Sequence, residues 1–332
     1  MRVAMYYNNR DVRIEEKETP IPKNKEILVK VHSSGICGSD LAEWYRMPRA
    51  PLVQGHEMSG EIVEVGPGIE KFKIGDRVFV APKVGCQNCK TCSDGHESIC
   101  PNVKARMPGA FAEFVCIPEE LQKAVFSLPH DISYETATFI EPLACAIRAQ
   151  KLAGVNEKDE ILVIGSGISG LLHTKLAKNK GADVTAIDIN EKKLEYARKF
   201  GANTIQPTLQ ESVNSSDKKF SVVILCTAAL KAFETAWKSV GLGGRIILFT
   251  VPAPDKEVVV PVNDFWRKEV KIITSYYCGP DDLQKSMEYI FLKKLKVDDM
   301  ITHRLPLSDI QKGFQLMADG SESLKIIIEP QR

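Results

Sequence analysis

The sequence has almost no excess of charge of either sign: 44 lysines and arginines face 43 aspartates and glutamates, for a formal net charge of +1. Such a balance gives no electrostatic footprint for a nucleic-acid backbone and no basic face for an anionic membrane. No apolar run reaches the ~20 residues that a membrane-spanning helix needs. The N-terminal stretch MRVAMYYNNRDVRIEE alternates like a strand pair and lacks the unbroken apolar core of a secretory signal. The expected location is the cytoplasm. Internal repeats and low-complexity tracts are also missing. The chain is 332 residues long, enough for two domains with a core each.

Of what is present, the stretch Glu160 to Gly170, EILVIGSGISG, organises the rest. Ile161 to Ile164 form a short all-apolar run, the pattern of a strand buried on both faces of a parallel sheet. Ile168, Leu171, Leu172 and Leu176 then recur at helical spacing until Gly181 ends the segment. Gly165, Gly167 and Gly170 stand where a dinucleotide-binding turn needs a tight bend, a close backbone approach to pyrophosphate, and helix packing on a strand. Glycine-rich turns also close strands for purely structural reasons, but the context here favours the cofactor. A second strand, Asp183 to Ile189, carries Asp188 about twenty residues on, where a carboxylate takes the ribose hydroxyls of NAD and disfavours the 2'-phosphate of NADP. Lys192 and Lys193 are the nearby counter-evidence. Ser166, Ile168, Ile189, Lys193 and Cys226 complete the expected cofactor-facing set.

Arg2 to Phe126 reads as β-rich, with runs such as EILVKV, GEIVEVG, DRVFVAP and FAEFVCIP between turn residues. Ser133 to Leu152 reads as helix, with Pro142 kinking it or lying near a helix start. The βα alternation then continues through Val222 to Cys226, Ala232 to Val240, a GLGG turn, Arg245 to Val251 and Ile272 to Tyr276. Two amphipathic helices and the apolar strand LKIIIEP follow Pro280. The expected division is 1–148 as a first domain, 149–279 as a doubly wound dinucleotide domain, and 280–332 returning to the first.

Nine cysteines in a reducing compartment point to metal before disulfides. Cys86, Cys89, Cys92 and Cys100 are spaced C-x2-C-x2-C-x7-C in a polar loop without hydrophobic periodicity. Four thiolates so close together suit a tetrahedral structural zinc with no open position. Cys37 in GICGSD, His56 and Glu57 in GHEMSG, and Glu141 in FIEPLAC are scattered, and spacing alone leaves packing or capping roles open for each. His32, His96, His130, His173 and His303 read as surface or satisfied core residues.

GICGSD, the Gly55-His56-Glu57 motif followed by Gly60 and Gly66, and the four-cysteine loop, in this order ahead of the glycine-rich turn, resemble the zinc-dependent medium-chain alcohol dehydrogenases along essentially the whole chain. The resemblance implies an α/β architecture: a GroES-like β-barrel catalytic domain plus a Rossmann domain, with NAD and two zinc ions and a homotetramer or homodimer. Glu57 and the Glu141-Pro142 pair look most like the polyol (sorbitol or iditol) and threonine dehydrogenase branch. There, a Cys, a His and one or both glutamates hold the catalytic zinc, which maps onto Cys37, His56, Glu57 and Glu141. Such a set leaves a position for water or a substrate hydroxyl, whose pKa zinc lowers towards ~7. Ser39 matches the family's relay hydroxyl, with a plain turn serine as the alternative. The resemblance also places Thr250, Val251 and Lys325 at the cofactor. Two positions depart from the pattern: Ala42 stands where many relatives have a relay histidine, and Tyr276-Tyr277-Cys278 lacks the arginine that precedes Tyr-Cys in sorbitol dehydrogenases. The expected activity is NAD-dependent oxidation of a secondary alcohol in a polyol or sugar-like compound. Threonine 3-dehydrogenase and a non-catalytic NAD-binding protein are the alternatives, and the complete ligand set speaks against the latter.

Overall fold

In the computed structural model, which describes residues 1–206 and 218–332, the chain forms two compact units: Met1–Pro142 with Gly279–Arg332, and Leu143–Cys278. The change of unit falls at Pro142, a few residues before position 148. The helix Ile140–Leu152 has Pro142 in its first turn, where a missing N–H costs nothing. That first turn belongs with the first unit, whose Ser286 hydroxyl donates to the Ile140 carbonyl at 2.7 Å. The stretch from Ser133 is two helices: Ser133 caps Tyr134–Ala137 by accepting from the Thr136 N–H, and Ile140–Leu152 follows. Among the described residues no helix is long and apolar enough to cross a membrane.

The first unit is built mostly on antiparallel strands, with Ile301–Pro306 and Lys325–Glu329 paired parallel. Its larger sheet runs Val125–Ser127, Arg77–Val80, Glu57–Val65, Ile27–Gly35, Lys325–Glu329 and Ile301–Pro306, with Phe114–Ile117 also paired to Ile27–Gly35. A three-stranded sheet of Asp11–Glu16, Arg2–Asn8 and Leu52–Val53 stands apart from it in pairing. Tyr6, Ile36, Phe111, Phe314, Ile326 and Ile328 pack as one buried cluster shared by strands from both sheets and the helix Ile310–Asp319. The strand Ile301–Pro306 is absent from the sequence reading. Its ITHRLP has one buried position, Leu305, so the period-2 signal is nearly silent.

The second unit is a six-stranded, all-parallel sheet in the order Asn203–Ile205, Asp183–Ile187, Glu160–Ile164, Phe220–Leu225, Val240–Leu248, Lys271–Thr274. Sequence order reverses between Glu160–Ile164 and Phe220–Leu225, which makes the C-terminal ends of those strands the place where such sheets take ligands. The GLGG segment interrupts the pairing of one strand. Its span is counted with the strand Val240–Leu248, yet pairing passes from Val240 opposite Phe220 straight to Arg245 opposite Val222, and Gly243 is left-handed with φ of +63°, so the register shift holds the turn that the glycines announce. Asn190 caps the helix Glu191–Lys199 as expected, accepting from the Lys192 N–H at 3.0 Å. His173 is fully buried with its ring edge-on to Phe249, and burial pushes its pKa down to about 3. It is a neutral core residue, although its Nε2 finds no hydrogen-bond partner.

Candidate zinc centres and cofactor turn

The four-cysteine loop is closed at its base by the paired strands Lys83–Val84 and Ala105–Arg106. Within it the Cys89 and Cys92 sulfurs lie 3.5 Å apart, as do those of Cys86 and Cys100, while Cys86 to Cys92 is 4.0 Å and Cys89 to Cys100 is 3.9 Å. Four thiolates at ~2.3 Å from a tetrahedral zinc would stand ~3.8 Å from one another, so the cage has the right size. Backbone N–H groups of Cys86 and Asn102 point at the Cys100 sulfur from 3.4 and 3.3 Å. The Asn88 N–H helps pull Cys86 down to about 6, whereas burial and the neighbouring sulfurs push Cys92 up to about 12. Crowded sulfurs resist further ionisation, and a dication at their centre removes that resistance.

The second centre forms where the strand Ile27–Gly35 gives way to a 3-10 turn, Gly38–Leu41. Asp40 closes this turn by accepting from the Cys37 N–H at 3.0 Å. His56 and Glu57 arrive together at the start of the strand Glu57–Val65. Donor atoms of Cys37, His56 and Glu57 lie within 4.8 Å of one another. This donor set, one thiolate, one imidazole and one carboxylate, fits a zinc ion with an open fourth position. Glu141 is buried at the start of the helix Ile140–Leu152 and is not part of this group, so the structure brings together three of the four expected ligands.

Asp40 and Arg46 are contributors that the sequence reading does not identify. Asp40 is fully buried, with its Oδ1 3.3 Å from His56 Nδ1, a distance for ion pairing but without hydrogen-bond alignment. Burial opposes the charged imidazole, yet the Asp40 carboxylate and the Cys37 thiolate outweigh it and hold the His56 pKa well above its usual value. With Nδ1 facing Asp40, Nε2 is left to serve as the donor. Arg46 ties the turn together, reaching Asp40 Oδ1 at 2.9 Å, Ser39 Oγ at 3.2 Å and the Ser39 carbonyl at 3.0 Å. The exposed Ser39 donates to Cys37 Sγ at 3.4 Å. A carboxylate three residues after a ligand cysteine, in a short turn, is the signal that could have marked Asp40. Lys325 does not lie in the dinucleotide unit; its ammonium is buried against Glu57.

In the second unit the glycine-rich turn has the expected geometry. Gly165 is left-handed, with φ of +94°, and a Cβ on Gly170 would overlap the Gly165 carbonyl, so only glycine lets the helix Ile168–Asn179 pack so closely. Among the described residues nothing lies within 4 Å of a Cβ placed on Gly167, the residue before that helix, which leaves the helix N-terminus open to an anion. Asp188 follows the second strand directly. It accepts from the Ser166 N–H at 2.6 Å and the Asn190 N–H at 2.8 Å, so it braces the turn. Cys226 follows the next strand, with its N–H on the Ile164 carbonyl at 2.8 Å, and the Thr250 N–H bonds the Leu225 carbonyl at 3.0 Å. Ile189 and Val251 are exposed and Lys193 is half-buried. These residues all lie at or beyond the C-terminal ends of the strands.

One unit with a closed thiolate cage and an open Cys/His/Glu set, and another shaped for a dinucleotide, define a zinc-dependent, nicotinamide-linked oxidoreductase. The alcohol dehydrogenase GroES-like domain family matches residues 23–130, and the zinc-binding dehydrogenase family matches residues 169–291. The sorbitol dehydrogenase of Bacillus subtilis (strain 168) is 30% identical over 100% of this chain and 98% of its own length. The D-arabitol-phosphate dehydrogenase of Enterococcus avium is 31% identical over 93% of this chain and 91% of its own. The crystal structure of galactitol-1-phosphate dehydrogenase from Escherichia coli superposes with a TM-score of 0.84 at 28% identity, covering 99% of this chain and 100% of that one. The chain belongs to the zinc-dependent medium-chain alcohol dehydrogenase family.

Proposed function

We propose that the protein oxidises a secondary alcohol of a polyol or sugar-like compound to the ketone, with NAD as hydride acceptor. The observation that carries this reading is the convergence of Cys37, His56 and Glu57 within 4.8 Å, three donors with a fourth position left for substrate. Zinc bound there lowers the pKa of the substrate hydroxyl, and NAD accepts the hydride. The chain's own residues hold the imidazole through Asp40, pin the turn through Arg46, and offer the Ser39 hydroxyl beside Cys37. Ser39 is exposed, so it can pass a proton straight to water, and Ala42 in place of a relay histidine is then no obstacle.

A second reading of the substrate has its own support. Two guanidinium groups pack against the Tyr45 ring, Arg46 at 5.0 Å and Arg49 at 4.4 Å from its centroid. Arg46 is tied to Asp40 and Ser39, and Arg49 is exposed. Two cations on the segment that carries Ser39 suit a substrate with an anionic end, such as a sugar-alcohol phosphate. NADH formation across sorbitol, galactitol, xylitol, inositol, sugar-alcohol phosphates, threonine, butanediol and ethanol, repeated with NADP, tests both readings. A polyol or its phosphate should exceed simple alcohols by ~10^2-fold or more in kcat/KM, because a site built for several hydroxyls is left unpaired by analogues without them. A preference for threonine or ethanol sinks the substrate reading, and equal use of NADP sinks the role given to Asp188.

A homodimer or homotetramer is part of the proposal. Among the described residues the strand Lys271–Thr274 is one of the two edges of the parallel sheet, and in the same unit Trp266 is 75%, Val262 69% and Val259 87% exposed. An unpaired edge with large apolar residues nearby invites a second copy. Sedimentation at micromolar concentration should show no monomer, and a purely monomeric species contradicts the assignment.

A further inference from the structure

Lys325 and Glu57 meet across a notch that only a glycine leaves. The strand Ile27–Gly35 lies between Glu57–Val65 and Lys325–Glu329, and Gly35 pairs with Glu57 on one side and with Ile327 on the other. A Cβ on Gly35 would overlap both Glu57 Oε2 and Lys325 Nζ. Through this gap the ammonium reaches the carboxylate, with each side chain 1% exposed and the Phe139 ring 5.6 Å from Nζ. Glu57 is also a donor of the Cys37 group. One carboxylate therefore serves both a buried ammonium, through Oε2, and the candidate metal group.

We propose that Lys325 is a positioning residue that keeps Glu57 a weak, displaceable zinc ligand. A buried ammonium beside a donor repels a dication and shares the carboxylate's charge, in surroundings that screen neither effect well. Zinc is then held mainly by Cys37 and His56, and the substrate oxygen meets little competition for the remaining positions. Without the ammonium, Glu57 would be a buried charge with zinc as its strongest available partner. Zinc affinity should rise and ligand exchange should slow.

The test is Lys325→Met, a neutral side chain of similar length, compared with wild type by zinc competition against a chelator and by cobalt titration of the Cys37 site with the four-cysteine cage kept loaded with zinc. We expect the variant to hold the metal ~10-fold more tightly or better, with a larger zinc-induced rise in Tm and a lower kcat. Adding Glu57→Gln should abolish the gain, and Lys325→Arg should leave affinity near wild type. Should Lys325→Met fail to fold, Lys325→Gln, which can still hydrogen-bond Glu57, carries the same expectation. Equal or weaker metal affinity in the neutral variant overturns the role of Lys325. The inference rests on the Cys37 group being a zinc site, and a wild-type protein that takes up no cobalt there overturns both.

Discussion

Cys37→Ser protein should keep its fold, bind one zinc ion fewer per chain and turn over its alcohol at least ~10^3-fold more slowly than wild type. The loss follows from the several kcal/mol of charge stabilisation that a bound zinc supplies, each 1.36 kcal/mol being about tenfold in rate. A serine hydroxyl is not ionised near neutrality and cannot replace the thiolate. Stability should change by no more than about 1 kcal/mol, since Cys37 is half-exposed and its turn keeps the Asp40 cap and the Arg46 tie. Zinc analysis, Tm and steady-state rates on the same sample decide the matter. Retention of a tenth of wild-type activity would remove Cys37 from the site.

Cys89→Ser should behave in the opposite way, losing the other zinc and much of the stability of its unit. The cage sulfurs, 3.5 to 4.0 Å apart, sit in a loop with few apolar anchors, with Cys92 and Cys100 its buried hydrophobic members. Metal binding supplies most of its folding energy, so a cost of several kcal/mol and a fall in Tm of roughly 10 °C are expected. Rates measured well below the new Tm should remain within about tenfold of wild type. A variant with two zinc ions and an unshifted Tm would refute the structural role.

Whatever the chain writes locally could be read before the fold was known. The four cysteines fall within one short loop, and the glycine turn, its strand and its helix are contiguous, so spacing alone implies their geometry. Asn190 and Ser133 announce their helices for the same reason. Long-range partnerships could not be read. Nothing near Lys325 in the sequence points to Glu57, because their meeting depends on the order of three strands and on one missing side chain between them. Glu141 shows the converse: the family resemblance offers one or both of Glu57 and Glu141 as ligands, and the structure groups Cys37 and His56 with Glu57. The bracing of the turn by Asp188 is not legible in the sequence, because the Ser166 N–H reaches that carboxylate only across two paired strands.

The unit that carries both zinc centres is assembled from two distant stretches of chain, and its strand Lys325–Glu329 lies between Ile27–Gly35 and Ile301–Pro306. During synthesis the dinucleotide unit, an unbroken stretch, can fold as it leaves the ribosome. The catalytic sheet cannot, because an inner strand is made some three hundred residues after the strand it must join. Until then Ile27–Gly35 presents an open edge there, and the half-made sheet depends on slow, non-local closure and is exposed to aggregation. Glu57 spends the same interval without its ammonium, while Cys37 and His56 are already available.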